Sequence, residues 1–239
     1  MSGNIWQLWV YLSTTPLVWL TVTLVAYQAG LWLYERAGRH PLLNPVLLAV
    51  IVLVALLTAT GTEYRVYFEG AQFVHFLLGP ATVALAVPLY RHFQAIRRSA
   101  LAIVVSILAG SLTAVVSAVG IAWAMGASFG TLLSLAPKSV TMPIALGISE
   151  QVGGLPGLTA ALVMLTGITG AVFATWTLNL VRVRDWRARG LAAGVAAHGI
   201  GTARAFQVNE VAGAFASVAM GLNGVATALL VPLLLRLLT

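Results

Sequence analysis

The stretch SFGTLLSLAPKSVTMPIALGISEQ, residues 128–151, places the only lysine of the chain, Lys138, in the middle of an apolar run. Pro137 and Pro143 stand on either side of it. Proline has no backbone N–H and disfavours helical geometry at the preceding residue, so a helix is predicted to break between residues 135 and 141. About 23 apolar residues make roughly 35 Å of helix, enough for one bilayer crossing or one re-entrant hairpin but not two crossings.

The rest of the chain has the composition of a membrane protein. Of its 239 residues, 60% are hydrophobic and 8% are charged, whereas soluble domains carry about 25% charged residues. The chain has no cysteine, which excludes disulfides, thiolate metal sites and thiol nucleophiles. The formal net charge is +7, but short arginine clusters between apolar runs are topology signals, so nucleic acid is not an expected partner.

Apolar runs between charged residues, prolines and glycines divide the chain into eight segments within one integral-membrane domain, residues 1–239. Lipid admits only helices or closed barrels, and these runs are continuous rather than alternating. The predicted fold is all-α, a polytopic helical membrane protein with about 7–8 membrane segments, two of them broken or re-entrant. The segments are 13–34, 41–58, 71–90, 97–125, 129–151, 155–181, 188–206 and 210–238.

Three arginine-rich loops orient the chain, because basic loops face the cytoplasm. Three segments, an odd number, separate the second basic loop from the third, so one of them must not cross the membrane. Segment 129–151 is the candidate, and segment 188–206 is a second, because glycines interrupt it. Arg236 would be cytoplasmic only if segment 188–206 crosses fully. The basic loops carry Arg36 and Arg39; Arg91, Arg97 and Arg98; and Arg182, Arg184, Arg187 and Arg189.

The break around Lys138 is predicted to be an anion site. A straight helix would place the ammonium near the bilayer midplane, where an ionisable side chain is a functional hypothesis by default. Ser139 or Thr141 would be the N-cap of the renewed helix, whose free N–H groups would then point toward the same place as Lys138. The alternative is that Lys138 lies in water at a re-entrant tip or pairs with Glu150 for stability alone.

A second constellation lies in segment 188–206. Gly199 and Gly201 would allow an unwound backbone that a ligand can approach, and Thr202 would cap the renewed helix. His198 would hydrogen-bond a substrate or carry a coupled proton. The alternative is that both glycines only permit close helix packing and that His198 bonds a neighbouring helix. Arg204 would contact substrate or pair with Glu210 at the interface.

Other polar residues of the apolar segments are weaker candidates. His75 precedes Gly79–Pro80 in a segment predicted to kink, and Asn223 lies beside a small-residue packing stripe. Together with Glu150 and Glu210, they are candidates for coupling or for supporting the site. No hydrolase, metalloprotease or nucleotide-binding motif occurs, and the four histidines have no metal-ligand spacing. Neither an enzyme activity, a metal nor a cofactor is therefore expected.

Several long motifs resemble the LrgB/CidB family of membrane proteins over nearly the whole chain. They are PLLNP from Pro41, HFLLGPATVALAVPLY from His75, PKSVTMPIALGISEQVGG from Pro137, LTGITGAVF, ARGLAAGVAAHGIGTARA from Ala188, and MGLNG from Met220. Two departures are Met142, where the family commonly has threonine, and the Ala197-His198-Gly199 sequence. Both leave fewer hydroxyls at the breaks.

The resemblance implies two functions. Chloroplast members of the family are glycolate/glycerate transporters and some bacterial members are associated with pyruvate-like acids, so a secondary transporter of small monocarboxylates is expected. Its substrate would bind at Pro137, Lys138, Ser139, Thr141 and the residues of the second break. The alternative is an antiholin-like regulator of murein hydrolase export acting with an LrgA/CidA-like membrane protein. Either protein would lie in the bacterial inner membrane, and a homodimer is expected.

Overall fold

The computed structural model describes residues 16–40, 43–77, 80, 83–84 and 86–238. The chain divides into two compact units, residues 1–84 and 85–239. In the first unit, α1 (Pro16–Arg36) packs against α2 (Pro45–Thr60) and α3 (Tyr64–Phe76). The Asn44 side chain caps α2, since its Oδ1 accepts hydrogen bonds from the N–H groups of Val46 and Leu47 at 2.9 and 3.2 Å.

The second unit contains the remaining described helices and both predicted breaks. Its helices are α4 (Ala86–Arg91), α5 (Phe93–Arg98), α6 (Ala100–Ala124), α7 (Phe129–Leu135), α8 (Met142–Val152), α9 (Pro156–Leu180), α10 (Trp186–Val208) and α11 (Glu210–Leu238). The all-helical prediction is confirmed. Among the described residues, four helices, α1, α6, α9 and α11, are long and apolar enough to cross a bilayer. Large apolar side chains along them are exposed, as expected of a surface in lipid.

Segment 129–151 is a re-entrant hairpin. Helices α7 and α8 have 7 and 11 residues, so each is much shorter than the roughly 30 Å bilayer core. The end of α8 returns to α7: the N–H of Leu155 donates to Ser134 Oγ at 2.8 Å. A Cβ on Gly154 would lie 3.1 Å from the backbone nitrogen of Ser134. The hairpin therefore begins and ends at the same end of the unit, as the parity of the basic loops predicts.

Segment 188–206 is a second hairpin, within the range of α10. Its helical geometry fails at Ala197 (φ −132°, ψ 18°) and His198 (φ 40°, ψ −132°). In a straight helix residues 193 and 201 would be about 12 Å apart, but a Cβ on Gly201 would lie 2.7 Å from the carbonyl oxygen of Ala193. Segment 188–206 therefore does not cross the unit.

The two hairpins enter the unit from opposite ends. The first hairpin lies at the end where α9 begins, and the second at the end where α9 finishes. Each is followed by a long helix, α9 or α11. Ala95 and Ile96, beside the second basic loop, and Leu191 of the second hairpin pack against the same buried cluster. Arg91 also pairs with Glu210, just after the second hairpin, so the second and third basic loops share one end. Arg236, near the C-terminal end of α11, belongs to the opposite end, where Leu235 and Phe129 line one groove.

Two of the predicted segments do not coincide with single described helices. In segment 71–90, α3 begins earlier, at Tyr64, and ends at Phe76, and α4 is described from Ala86. The charges at Arg65 and Glu69 do not stop α3, because both side chains lie on its exposed face. Segment 97–125 is interrupted at Ser99, whose ψ of 8° separates α5 from α6. Gly79 lies outside the described residues, so the kink predicted there is not described.

Candidate functional site

The tip of the first hairpin holds Lys138. Pro137 and Ser139 are buried on either side of it, whereas the lysine itself is half-buried and its Nζ donates to Ser139 Oγ at 3.2 Å. No described carboxylate lies within salt-bridge distance of this ammonium. Within the described part of the chain, the ammonium at this tip therefore has no counter-charge.

Helix α8 begins immediately after this tip. Thr141 is its N-cap, as one of the two alternatives predicted, with φ −63° and ψ 147°. The Thr141 hydroxyl makes no capping hydrogen bond, and Pro143 lies in the first turn. The first-turn N–H groups of Met142 and Ile144 are therefore left without a side-chain cap at the positive end of the helix dipole.

A hydroxyl network holds the base of the first hairpin against α9. The hydroxyls of Ser149 and Thr159 are 2.7 Å apart, and Thr159 Oγ1 donates to the carbonyl of Ser134 at 3.1 Å. Ser134 Oγ in turn donates to the carbonyl of Gly130 at 2.7 Å. Ser134, Ser149 and Thr159 are all fully buried. This network fixes the direction in which the hairpin projects its tip.

The tip of the second hairpin is formed by Ala197 and His198. The imidazole is buried, and its Nε2 lies 3.0 Å from the carbonyl oxygen of Val163 in α9. Two glycines of α9 make room for the tip: a Cβ on Gly167 would lie 2.7 Å from His198 Cε1, and one on Gly170 would lie 2.2 Å from Ala197 Cβ. These contacts with α9 hold His198 at a positive φ, a backbone conformation that residues other than glycine rarely adopt.

Thr202 does not cap the renewed helix as predicted. Its hydroxyl is buried and donates to the carbonyl of His198 at 2.8 Å, with a longer contact of 3.4 Å to the carbonyl of Ala216. The break falls at Ala197 and His198, before Gly199, so the hydroxyl of Thr202 faces carbonyls rather than free N–H groups. Thr202 therefore braces the tip against α11.

Gly199 and Gly201 differ in their surroundings. A Cβ on Gly199 would approach only the sulfur of Met220, at 3.8 Å, so its backbone is accessible to a ligand on that side. A Cβ on Gly201 would lie 2.7 Å from the carbonyl oxygen of Ala193. Gly201 therefore permits close packing, the alternative to a ligand-accessible backbone that the sequence allowed for both glycines.

The predicted acidic and basic partners lie away from the two tips. Glu210 pairs with Arg91 at 3.4 Å, and its carboxylate is 3.9 Å from His92 Nε2. Arg204 Nη1 donates to Gln207 at 3.4 Å, and Glu150 is exposed. The predicted pair between Arg204 and Glu210 is replaced by one with Arg91, because α4 packs beside the start of α11. The side chain of His75 lies outside the described part of the structure.

Asn223 of α11 joins the two tips. Its Nδ2 donates to the carbonyl of Ser139 at 3.1 Å and to the carbonyl of Val195 at 3.2 Å. Its Oδ1 accepts a hydrogen bond from Ser111 of α6. All three side chains, of Asn223, Ser139 and Ser111, are buried. Carbonyls only accept and the serine hydroxyl can donate, so this orientation of the amide satisfies every partner.

Sequence reasoning missed several of these residues. Ser111 and Val163 stand in ordinary apolar segments, and nothing in the sequence shows that they meet the tips. Arg189, assigned only to a basic loop, is buried: its Nη1 donates to Asn179 Oδ1 and to the carbonyl of Val183, both at 2.8 Å. A buried arginine beside the last turn of a helix satisfies carbonyls left without helical partners.

Two further features bear on what the second unit can bind. A cavity of about 560 Å³ between α6, α7 and α11 is lined by apolar side chains, including Val115, Trp123 and Leu235, and therefore suits hydrocarbon rather than an anion. Among the residues described, no three His, Cys, Asp or Glu side chains are grouped to hold a metal.

At the exposed start of α10, hydrogen bonds from Arg187 hold the pKa of Asp185 below its usual value.

Comparison with known sequences identifies the family. The profile of the LrgB-like family matches residues 23–237, nearly the whole chain. The chain belongs to the LrgB-like family. Both hairpins, both long helices that follow them, and Asn223 lie within the matched range, so the site described above is part of the LrgB-like region.

Similar proteins of known sequence align with the chain over almost its whole length. The uncharacterized protein YwbG of Bacillus subtilis (strain 168) is 36% identical over 219 residues, 92% of this chain and 97% of its own. YxaC of the same strain is 36% identical over 218 residues, 91% of this chain and 94% of its own. The antiholin-like protein LrgB of Bacillus mycoides (strain KBAB4) is 31% identical over 221 residues, 92% of this chain and 96% of its own. No solved structure matches.

Proposed function

We propose that this protein is a secondary transporter of small monocarboxylates of the glycolate, glycerate or pyruvate type. The observation that carries the proposal is the pair of hairpins that enter the second unit from opposite ends and meet through Asn223. Discontinuous segments in inverted repeats, with the substrate between them, are characteristic of secondary transporters. The repeated order of hairpin and long helix, α7–α8 with α9 and α10 with α11, fits this architecture.

The first tip provides the charge that such a substrate needs. Lys138 has no described carboxylate partner, and the start of α8 directs uncapped N–H groups to the same region. An ammonium and a helix N-terminus together favour a carboxylate. One positive side chain suits a monocarboxylate better than a dicarboxylate, because a second carboxylate would remain without a cation. Ser139 Oγ, already bonded to Lys138 Nζ, orients the ammonium.

The second tip provides a group that distinguishes substituents next to the carboxylate. Val163 offers a carbonyl, which only accepts, so the proton of a neutral His198 lies on Nε2. Nδ1 is then an acceptor and makes no hydrogen bond to a described residue. It would accept from the hydroxyl of a 2-hydroxy acid, whereas the carbonyl of a 2-oxo acid offers no proton. A buried neutral imidazole therefore favours hydroxy acids.

An antiholin-like regulator of murein hydrolase export is the second candidate, and it is favoured by similarity to proteins such as the antiholin-like protein LrgB of Bacillus mycoides. This function would require an LrgA/CidA-type membrane partner and would depend on helix packing rather than on Lys138. Both candidates place the chain in the bacterial inner membrane, and a homodimer is proposed for either. The small-residue contacts between α10 and α11 would stabilise either protein.

Reconstitution separates the two functions. The purified protein is placed alone in liposomes, and uptake of labelled glycolate and pyruvate is followed together with release of a trapped dye much larger than either acid. The transporter proposal predicts saturable uptake, counterflow and retention of the dye. Dye leakage without saturable uptake of any small acid would refute it and would favour the regulator.

A further inference from the structure

Each hairpin has a backbone carbonyl near its tip that accepts a hydrogen bond from outside the hairpin. In a continuous helix the carbonyl of Ser139 would accept from the N–H of residue 143, but residue 143 is proline and has no N–H. The carbonyl of Val195 lies in the last turn before the nonhelical pair Ala197 and His198, where carbonyls lose their intrahelical donors. Both carbonyls are buried within the unit and require a donor.

One side chain supplies both donors. The two hydrogens of Asn223 Nδ2 are used on the carbonyls of Ser139 and Val195, at 3.1 and 3.2 Å. Ser111 Oγ fixes the amide by donating to Oδ1. Asn223 is 1% exposed, so water does not replace these bonds in this arrangement. No other residue type of this size offers two donors and one acceptor in one plane.

We propose that Asn223 is a positioning residue that couples the two hairpin tips, so that the first tip and the second are ordered or displaced together. Its amide links α6 and α11 to both tips. Loss of the amide would release both unpaired carbonyls at once, and each tip would separate from α11. For transport, this inference rests on the proposed function: Lys138 and His198 would contact one substrate only while Asn223 holds both tips.

The absence of cysteine from the chain provides a direct test that does not depend on transport. A single cysteine is introduced either at Thr141, which is partly exposed, or at Gly199, where a Cβ meets only Met220 Sδ at 3.8 Å. Each cysteine is labelled with a maleimide in the full-length protein in liposomes, with and without Asn223→Ala. The inference predicts that labelling at both positions becomes faster by about tenfold or more.

The matched control is Ser217→Ala on the same helix. Ser217 is also buried, but its hydroxyl donates only to the carbonyl of Gly213 in α11, at 3.0 Å. This control should leave both labelling rates unchanged. If Asn223→Ala fails to fold, Ser111→Ala is used, because it removes only the bond that orients the amide. A smaller increase at both positions is then expected, about twofold to fivefold.

The outcomes separate this inference from the proposed function. Faster labelling at only one position, or at neither, would overturn the coupling even if the wild type transports acids. Faster labelling at both positions supports the coupling even if no acid is transported, and in that case only the proposed function fails. Where uptake is measurable, Asn223→Ala should raise the KM for glycolate at least tenfold, whereas Ser217→Ala leaves it unchanged; an unchanged KM in Asn223→Ala would also overturn the inference.

Discussion

Substitution of Gly167 by alanine would displace the second tip without replacing any titratable residue. A Cβ at this position would lie 2.7 Å from His198 Cε1, 2.8 Å from Nε2 and 2.8 Å from Ile200 Cδ1. Carbon atoms in contact are ordinarily about 3.5–4.0 Å apart. The imidazole must therefore move by roughly 0.8–1.3 Å, which disturbs the contact of Nε2 with the Val163 carbonyl, now 3.0 Å.

The size of the effect follows from the cost of overpacking. Inserting a methyl group into a filled site costs about 1–3 kcal/mol. If the cost falls on the state that binds substrate, the KM for glycolate in proteoliposomes rises about 5-fold to 150-fold. The increase should be larger for hydroxy acids than for pyruvate, because His198 Nδ1 serves the hydroxyl. The melting temperature in detergent should fall as well.

Gly147→Ala is the control for this prediction. Gly147 lies in α8 of the same unit, and a Cβ on it would meet nothing within 4 Å. Alanine there removes only the flexibility of glycine, so KM should stay at the wild-type value and stability should hold or rise slightly. The reasoning is refuted if Gly167→Ala retains the wild-type KM and melting temperature, since the slot for His198 would then not be tight.

Three further substitutions test individual contacts within the two units, each by thermal melting in detergent. Thr159→Val should destabilise by about 1–3 kcal/mol, because the carbonyl of Ser134 and the hydroxyl of Ser149 lose a buried partner. Arg189→Lys should lower the free energy of unfolding by about 2 kcal/mol, because one ammonium does not reproduce the guanidinium hydrogen bonds to Asn179 and Val183. Asn44→Ala should lower the free energy of unfolding by about 1 kcal/mol, because the N-cap of α2 is lost.

Each of these has a matched control, of the same residue type for Thr159 and Arg189 and at another helix N-cap for Asn44. Thr58→Val changes a hydroxyl that is exposed and bonded within its own helix. Arg187→Lys changes an exposed arginine, and Ser99→Ala changes an N-cap whose side chain makes no capping bond. All three controls should melt close to the wild type. A control as destabilised as its partner would show that the residue type matters there and the observed contact does not.

The first tip was predictable because its cause is local. Pro137 and Pro143 remove helical donors wherever they stand, and the position of the break and Thr141 as N-cap follow from that. The parity of the arginine clusters also predicted one segment that does not cross, since charge in loops reports the side of the membrane. Both predictions depend on residues that lie close together in the sequence, the two prolines in one case and each arginine cluster in the other.

The second tip was only partly predictable because its cause is tertiary. The glycines at 199 and 201 marked the region, but the chain reverses at Ala197 and His198, where Gly167 and Gly170 of another helix leave space. A positive φ in histidine is unfavourable on its own and persists because of these distant contacts. The sequence also gave no sign that Asn223 joins both tips, because that requires the arrangement of four segments.

The most direct test of the account is the initial rate of glycolate counterflow with Lys138 altered. Lys138→Met keeps a side chain of similar length without the charge, and Arg187→Gln removes a cation that is exposed at the start of α10. The account predicts saturable counterflow for the wild type and Arg187→Gln, and at least a tenfold loss for Lys138→Met. Counterflow in Lys138→Met with wild-type KM and rate would contradict an anion site at the first tip.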